Sequence, residues 1–534
     1  MDQSKLRVHD ALALFRYGAP SGCSETRLKS SLSVVARRFT ACLSAAAVLV
    51  AGCTIGPDFH RPAAPNVTGY AGNALPSQTA SANIAGGEEQ RFVQGLDIPG
   101  QWWTLFHSEP LNTLIEQALK ANPDVSAAKA ALRQAMENIY AQRGSYYPTV
   151  QANFSPSRQN IGTGTLSPTL NSGDTIFTLY TAQVGVSYVP DVFGGNHRQV
   201  ESLTAQAEAQ RFQLGSTYLT LTSNVVAGAV QEASLRAQIA ATEKVISIET
   251  EQLELLKRQH ALGAIAMADV VAQQATLAQA QATLPTLQKQ LALQRDLLTA
   301  LAGRFPSDEV TQKFELSSLR LPQELPVSLP SNLVEQRPDV RAAEAQLHVA
   351  SAQVGVAMVN MLPQITLNAA YGGVSTQFGQ LLSPENVFWS AAGSLTQTIF
   401  AGGTLLHRKR AAEAALDQSG AQYRSTVITA FQNVADTLRA LQYDAESVKA
   451  QVAAERAAAQ SLEITRRSMQ LGAVSYLALL SAEQTYQQAI ISLVQAQANR
   501  YADTAALFQA LGGGWWNRSD VSMPWTASAA SDVH

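Results

Sequence analysis

The stretch Asn122-Pro123-Asp124-Val125 returns 215 residues later as Arg337-Pro338-Asp339-Val340. Residues 122–155 align with 337–370 without a gap, and 10 of these 34 positions are identical. In both copies the Pro-Asp pair is typical of a helix start. The first N–H groups of a helix have no partner within it, so proline costs no hydrogen bond there, and a carboxylate faces the positive end of the helix dipole. The self-similarity at a fixed offset indicates a duplicated structural unit.

Three further matches follow in the same order along the chain, and an ordered series of this kind is not expected by chance. They pair Val192-Phe193-Gly194-Gly195 with Ile399-Phe400-Ala401-Gly402-Gly403, Leu262-Gly263-Ala264 with Leu471-Gly472-Ala473, and Ala300-Leu301-Ala302-Gly303 with Ala510-Leu511-Gly512-Gly513. The sequence therefore predicts two structural repeats. The predicted segments are a signal peptide at 1–52, an acylated N-terminal segment at 53–110, the repeats at 111–320 and 321–516, and a polar C-terminal tail at 517–534.

Each repeat is predicted to contain one helix, two strands and two long helices, in that order. Pro148 and Pro363 are expected to end the first helices, and Pro285 to kink a later one. A stripe of large side chains and alanine on one face supports the first long helix: Leu214, Tyr218, Leu221, Val225 and Ala229. The predicted helices are 111–145, 330–360, 198–259, 267–301, 405–470 and 476–510, and the predicted strands are 149–159, 176–189, 364–371 and 388–400.

The strands have about 10 residues with alternating apolar side chains, and a strand of this length can cross a bilayer when it is tilted. A hairpin half-buried on a helix layer would alternate in the same way, so this pattern leaves both interpretations open. Lipid does not tolerate unpaired strand edges, and four strands cannot close a barrel alone. Membrane insertion would therefore require strands from several copies. The helix at 198–259 would reach about 93 Å, which favours a helical tube or rod.

The N-terminus reads as an export signal. Arg37-Arg38 precede an apolar run at 39–50 that is too short to span a bilayer. The run ends in Leu49-Val50-Ala51-Gly52-Cys53, which resembles the lipobox of bacterial lipoproteins. We expect cleavage before Cys53 and covalent lipid on its thiol and amino group. Residues 1–52 carry seven Lys/Arg and three Asp/Glu, so their removal changes the net charge from −3 to −7.

Composition excludes several functional classes. The net charge of −3 argues against a basic nucleic-acid binder. Three cysteines and eight histidines leave little room for a zinc framework, and no metal role is expected for His197 or His407. The common catalytic motifs for nucleophilic, metal-dependent and phosphate chemistry do not occur, so no enzymatic activity is expected. A structural coiled-coil lipoprotein is a further alternative, but it would not need four alternating strands of bilayer length.

The mature chain, over about 53–516, resembles the outer membrane factors of tripartite resistance-nodulation-division (RND) efflux systems, in their lipoprotein branch. The resemblance is carried by the repeated Pro-Asp-Val, Phe-Gly-Gly and Leu-Gly-Ala motifs and by two further segments. These are Cys53-Thr54-Ile55-Gly56-Pro57-Asp58-Phe59-His60-Arg61-Pro62 and Gln101-Trp102-Trp103-Thr104-Leu105-Phe106.

This resemblance implies an α+β membrane protein that forms a homotrimer. Four strands per chain would build a twelve-stranded outer-membrane β-barrel, continued by a long periplasmic α-helical barrel with a small equatorial domain. The implied function is an exit duct for multidrug and small-toxic-compound efflux, working with a periplasmic membrane-fusion adaptor and an inner-membrane RND pump. The alternative is the duct of a type I protein secretion system with an ABC exporter. Apart from the lipid on Cys53, no cofactor is implied.

The resemblance also assigns roles to residues near the two helical turns. The turns would form the closed periplasmic aperture and the adaptor contact, with Asp269 as an acidic position and Leu477 as an apolar gate position. Many family members carry aspartate one turn after the gate residue, whereas this chain has Ser481 there and Glu483 two residues later. Asp269 and Glu483 could equally lie on a solvated helix face. The implied tip residues are Leu262, Gly263, Asp269, Leu471, Gly472, Leu477 and Ser481.

Aromatic residues divide into two predicted groups. Trp102 and Trp103 are expected to pack the N-terminal segment onto the equatorial region, because they lie some 50 residues from Cys53. Trp389 in the second hairpin and Tyr180 or Tyr188 in the first are better candidates for the interfacial aromatic girdle of a membrane barrel.

Overall fold

The computed structural model describes residues 54–67, 69–70, 76–160 and 176–518. Cys53, the predicted signal peptide and most of the predicted C-terminal tail lie outside the described residues. Two series of elements follow one another along the chain. The first comprises β1 (Arg91–Gln94), α1 (Glu109–Ala121), α2 (Pro123–Arg143), β2 (Thr149–Asn160), β3 (Ile176–Tyr188), α3 (Gly195–Ala261) and α4 (Met267–Leu301). The second comprises β4 (Glu324–Val327), α5 (Pro330–Gln336), α6 (Pro338–Val359), β5 (Gln364–Ser375), β6 (Val387–Thr396), α7 (Thr404–Gln470) and α8 (Tyr476–Ala510).

The predicted order of elements is confirmed, but the first helix of each repeat is wrong in one respect. Instead of continuous helices at 111–145 and 330–360, the chain breaks before Pro123 and Pro338. Proline lacks an N–H and its ring forces the preceding residue out of the helical region. Asn122 and Arg337 accordingly have extended ψ angles of 127° and 122°. In contrast, α4 is continuous through Pro285.

Each break is hydrogen-bonded to the C-terminal end of a later helix, which is α4 in the first repeat and α8 in the second. The Asn122 side chain caps α2 and also donates through Nδ2 to the Leu301 carbonyl at 3.0 Å. In the second repeat Arg337 donates through Nη1 to the Ala510 carbonyl at 2.9 Å. The glycines of the last matched motif explain its recurrence, because a Cβ on Gly303 or Gly512 would lie 2.6 Å from a carbonyl oxygen that ends α1 or α5.

The strands of both repeats form one antiparallel sheet in the order β2-β3-β5-β6. Residues that face each other across an antiparallel ladder share one face of the sheet. The register pairs Val150 with Val186, and Tyr371 with both Val184 and Trp389. Over the part of the sheet nearer the long helices, this face is apolar on all four strands: Val150, Ala152, Phe154, Ala182, Val184, Val186, Tyr188, Ile365, Leu367, Ala369, Tyr371, Trp389, Ala391, Gly393 and Leu395. At its far end the same face also carries Arg158, Asn160, Thr178 and Ser375.

The opposite face of the sheet carries most of its polar side chains, among them Thr149, Gln151, Asn153, Gln183, Ser187, Thr366, Asn368, Ser390 and Ser394. Within the described chain, β2 pairs only with β3 and β6 only with β5, so both outer edges are open. The apolar face is exposed as well, with Trp389 76% and Val150 64% accessible. On this face Tyr188 lies at the end of β3 nearer the helices, Trp389 is level with Val184, and Tyr180 is level with Ser375 toward the other end. The girdle role of these three residues stays a prediction.

Two helices of 67 residues, α3 and α7, extend from the sheet. At 1.5 Å per residue each is about 100 Å long. α3 packs against α2 and α6 as well as against α4 and α8, while α7 packs against α6 and α8. The predicted stripe is confirmed, since Leu214, Tyr218, Leu221, Val225 and Ala229 are all buried. In the part of the chain that the structure describes, no helix combines the length and apolarity needed to cross a membrane.

The largest core surrounds Trp102, which stacks on Phe508 of α8 with ring centroids 5.3 Å apart. Trp103 and Phe106 are buried beside it, so the predicted packing role of the tryptophan pair is confirmed. The N-terminal segment also adds β1 in parallel to β4 of the segment between the repeats. This region therefore joins the N-terminus, the inter-repeat segment and the C-terminal end of α8 in one core.

Candidate functional site

The two helical hairpins α3–α4 and α7–α8 end in turns with the same backbone geometry. Gly263 and Gly472 have φ angles of +74° and +71°, which is the left-handed conformation that favours glycine after a helix. Gly263 donates to the His260 carbonyl and Ala264 to that of Gln259, at 2.8 and 2.9 Å. Together these bonds form a Schellman motif, and the bonds of Gly472 and Ala473 repeat it.

Large apolar side chains are exposed at these turns. Leu262 is 84%, Leu471 85% and Leu477 66% accessible. Asp269 lies in the first turn of α4, where its carboxylate faces the positive end of the helix dipole, and Ser481 is exposed on α8. The structure thus brings the predicted tip residues to the ends of the two hairpins. Their roles as aperture and adaptor contact stay predictions.

A short distance from the turns, the two hairpins share one apolar cluster. It contains Leu253 and Leu256 of α3, Val270 and Leu277 of α4, Leu462 of α7, and Tyr476, Leu479 and Leu480 of α8. Because members come from all four helices, this cluster fixes one hairpin against the other.

Glu483 lies next to this cluster and is only 3% accessible, so the solvated-face interpretation is wrong for this residue. Its Oε1 lies 3.5 Å from Arg466 Nη2 of α7. The Glu249 side chain of α3 is also buried and accepts hydrogen bonds from Gln273 of α4 and, at 3.5 Å, from Gln487 of α8. We name Glu249, Gln273, Arg466, Glu483 and Gln487 the hairpin-junction cluster.

Burial raises the pKa of the Glu483 carboxyl to about 7; the charge of Glu249 adds to this rise, and Arg466 opposes it. Burial also raises the pKa of Glu249, against the opposing effects of Gln273 and Arg466. The Tyr476 pKa is raised by burial and by the nearby carboxylates. The cluster thus holds two acidic groups that ionise less readily than exposed glutamates.

The sequence interpretation missed Glu249, Gln273 and Arg466, although a signal was present. Glu249 lies four and seven residues before Leu253 and Leu256, which places it in their buried stripe. Glu483 follows Tyr476 and Leu480 by seven and three residues in the same manner. A carboxylate at a stripe position would have indicated a buried ionisable group.

At the other end of the helices, the N-terminal segment is fixed where β3 leads into α3. The buried Arg198 side chain donates to the Ile55 and Gly56 carbonyls at 3.2 and 3.3 Å and pairs with Asp58 at 2.8 Å. The hydrogen bond from Arg198, together with its charge, holds the pKa of the Asp58 carboxyl below its usual range. The ring of Phe59 stacks on His348 with centroids 4.2 Å apart. The residues that directly follow Cys53 are therefore held at the base of the sheet.

Among the described residues no group of three or more histidine, cysteine or carboxylate side chains is arranged to hold a metal ion.

A protein-family model and several known proteins match this chain. The family model for the outer membrane efflux protein matches residues 114–304 and 329–513. The toluene efflux pump outer membrane protein TtgC of Pseudomonas putida is 29% identical over 486 residues, 89% of this chain and 96% of TtgC. The pyoverdine export outer membrane protein OpmQ of the same species is 27% identical over 443 residues, 82% of this chain and 94% of OpmQ.

The solved outer-membrane channel OprN superposes with a TM-score of 0.76 at 25% identity, covering 87% of this chain and all of that one. The predicted fold class of an outer-membrane channel with long helices is thereby confirmed. The two segments matched by the family model contain the repeated motifs and all four strands of the sheet. The chain belongs to the outer membrane efflux protein family.

Proposed function

We propose that this protein is the outer-membrane exit duct of a tripartite efflux pump, acting with a periplasmic adaptor and an inner-membrane RND transporter. The observation that carries the proposal is the sheet register, which collects apolar side chains on one face of four strands and polar ones on the other. An exposed apolar face opposite a polar face is typical of strands between lipid and a water-filled lumen. The long helices extend this duct away from the membrane.

The open edges of β2 and β6 support a trimer. In lipid every backbone N–H and C=O needs a partner within protein, so the two edges must pair with other copies of the chain. Three copies give twelve strands, which leave room for a lumen, whereas two would give eight, which side chains largely fill. The homotrimer thus satisfies the sheet edges and opens a path for substrate.

The exposed leucines at the hairpin turns support the adaptor contact. Leu262 and Leu471 are the most exposed of several apolar side chains at the helix tips, and exposed apolar groups of this kind mark interaction surfaces. In the proposed trimer these turns surround the periplasmic aperture, with Leu477 and Ser481 on the following helix. Serine at this position gives the aperture less negative charge than a carboxylate would.

A lipid anchor on Cys53 agrees with the geometry at the base of the sheet. Thr54, the next residue in sequence, packs against Gly194 where β3 meets α3. Lipid with more than one acyl chain would give a stable membrane anchor at that level. The intact mass of the mature chain tests this proposal, because it must exceed the mass of residues 53–534 by that of the lipid. An unmodified mass would refute acylation.

The compounds for which the relatives are named support small molecules as substrates. TtgC is named for toluene efflux and OpmQ for pyoverdine export, compounds of very different polarity. These names favour efflux over the type I protein-secretion alternative.

Deleting the gene tests the proposed function. We expect lower inhibitory concentrations for several drugs and dyes, and greater dye accumulation in cells, because the pump loses its route across the outer membrane. Expression of the wild-type chain is expected to restore both, and a version with lysine at Leu262 and Leu471 is expected to restore neither while reaching the outer membrane. Unchanged susceptibility in a strain without another duct of this family would contradict the proposal.

A further inference from the structure

We propose that the hairpin-junction cluster is a proton-controlled latch: it holds the two hairpins together while one of Glu249 and Glu483 is protonated, and it releases them when both carboxylates ionise. The inference rests on the proposed function, because it concerns how the periplasmic end of the duct opens. It assigns to this end a response to periplasmic pH.

The placement of the cluster makes it a link between the hairpins. Glu249 and Gln273 belong to α3 and α4, whereas Arg466 and Glu483 belong to α7 and α8. Gln487 of α8 donates to Glu249 at 3.5 Å, which is a direct but long contact between the two hairpins. Glu249 lies 13 residues before Leu262, about 20 Å along the helix from the turn. Separation at this level would therefore move both tips.

The charges inside the cluster do not balance without a proton. Two buried carboxylates face one guanidinium, and the 3.5 Å separation between Arg466 and Glu483 is longer than a strong charge-assisted bond. Arg466 is also partly exposed, which weakens its effect. A buried carboxylate without full compensation is costly. One added proton leaves one negative charge against one positive charge.

The unpaired hydrogen-bonding groups of the cluster also indicate a bound proton. Among described protein groups, Glu483 Oε2 and Gln273 Oε1 are buried acceptors without a donor. A protonated carboxyl supplies the donor that the cluster lacks, because an ionised carboxylate can only accept. Protonation thus removes one charge and adds one hydrogen-bond donor at the same site.

No other titratable group around the cluster supplies this compensation. Lys244 lines the adjoining cavity but is exposed, and Asp269 adds negative charge. Tyr476 and Tyr486 both have a raised pKa, chiefly through burial, and stay neutral. In the described part of the chain, the charged or titratable groups that face Glu483 or its immediate neighbours are Lys244 and Glu249 of α3, Asp269 of α4, Glu455 and Arg466 of α7, and Tyr476 and Tyr486 of α8.

The direction of the pH effect follows from proton linkage. In the joined arrangement the pKa of Glu483 is about 7, whereas its ordinary value, expected once the hairpins separate and water enters, is 4.5. The joined state binds more protons between these values and is therefore favoured as pH falls below 7. Its advantage is lost as pH rises through 7. Between about pH 6 and pH 8 the joined-to-separated ratio changes about tenfold per protomer.

A second carboxyl pair offers a matched control. Asp444 of α7 and Asp503 of α8 face each other, and burial together with Asp503 raises the pKa of Asp444 to about 7. This pair lies within the second hairpin, 20 residues from Glu483 and thus about 30 Å farther from the tip. It titrates in the same pH range but does not link the two hairpins.

The test is the conductance of the purified trimer in planar bilayers between pH 5.5 and pH 8.5. We expect wild-type open probability to rise about tenfold from pH 6 to pH 8, with a midpoint near pH 7. Glu483→Gln, which supplies a neutral donor at every pH, is expected to stay at the low level throughout, as is Glu249→Gln. Asp503→Asn is expected to keep the wild-type profile. A flat wild-type profile, or equal profiles in wild type and both glutamine variants, would overturn the latch.

A spin label at Leu471→Cys gives a readout that does not depend on ion flow. We expect longer distances between labels on the three subunits at pH 8 than at pH 6 in the wild-type background, and unchanged distances in Glu483→Gln. Equal distances at both pH values in wild type would refute the latch. If the protein forms no conducting trimer at any pH, the proposed function fails; if it conducts without pH dependence, only the latch fails.

Discussion

Replacing Trp102 with alanine will lower the free energy of unfolding of the helical region by about 3–5 kcal/mol, the range for truncating a buried aromatic side chain. Trp102 is fully buried, stacks on Phe508 and contacts Trp103 and Phe106 edge-on. Its removal leaves a large cavity at the point where the N-terminal segment meets the end of α8. Few other single changes would disturb both repeats at once.

Urea denaturation followed by far-ultraviolet circular dichroism measures this loss. Trp102→Phe is the matched control, because it keeps an aromatic ring against Phe508, and we expect it to lose well under half as much stability. A double-mutant cycle with Phe508→Ala should show a coupling of about 0.5–1.5 kcal/mol for the stacked pair. If Trp102→Ala left the midpoint unchanged, this core would not be what holds the N-terminal segment.

Replacing Arg500 with alanine will release the segment before β1 from α8. Arg500 is completely buried, and its guanidinium donates to the Gly86 carbonyl at 3.1 Å, to Thr79 Oγ1 at 3.0 Å and to the Glu88 carbonyl. Thr79 Oγ1 keeps the hydrogen bond from the Gln90 N–H, so the change leaves the Gly86 and Glu88 carbonyls without this donor. Each buried acceptor left unpaired costs about 1–3 kcal/mol, so the expected loss is at least about 2 kcal/mol. Burial lowers the pKa of Arg500, and the nearby charge of Glu88 opposes this effect.

Limited proteolysis distinguishes this local release from global unfolding. In Arg500→Ala we expect new cleavage within residues 76–94 while the long helices stay resistant. Arg500→Lys keeps the charge but not the planar set of donors, so it should be cut at an intermediate rate. Equal cleavage of wild type and Arg500→Ala would show that other contacts fix this segment.

Much of the fold was predictable because its determinants are local and occur twice. The glycine turns and the period-two strands each follow from short-range physics. Their recurrence in one order identified the duplication. The breaks before Pro123 and Pro338 were not predicted, although proline signals them locally. The long helices were predicted to within a few residues because α3 and α7 contain no proline and keep a regular buried stripe.

The remaining features depend on contacts between distant parts of the chain. Asn122 and Arg337 make equivalent hydrogen bonds, to the carbonyls of Leu301 and Ala510. An asparagine and an arginine at matched positions of the two repeats do not indicate a shared contact in the sequence. The burial of Glu483 depends on α3, which is more than 200 residues away, so the sequence left open only whether it belongs to the gate or to a solvated helix face. Sheet register likewise required β3 and β5 to be placed side by side.

The proposed duct depends on a sheet whose outer strands, β2 and β6, need partners from other copies of the chain. Native mass measurement of the protein extracted from outer membranes in mild detergent tests this most directly. We expect the mass of a particle of three lipid-modified chains, and we expect this particle to persist on dilution. A monomer of one chain, stable in detergent with β2 and β6 unpaired, would contradict the proposed duct.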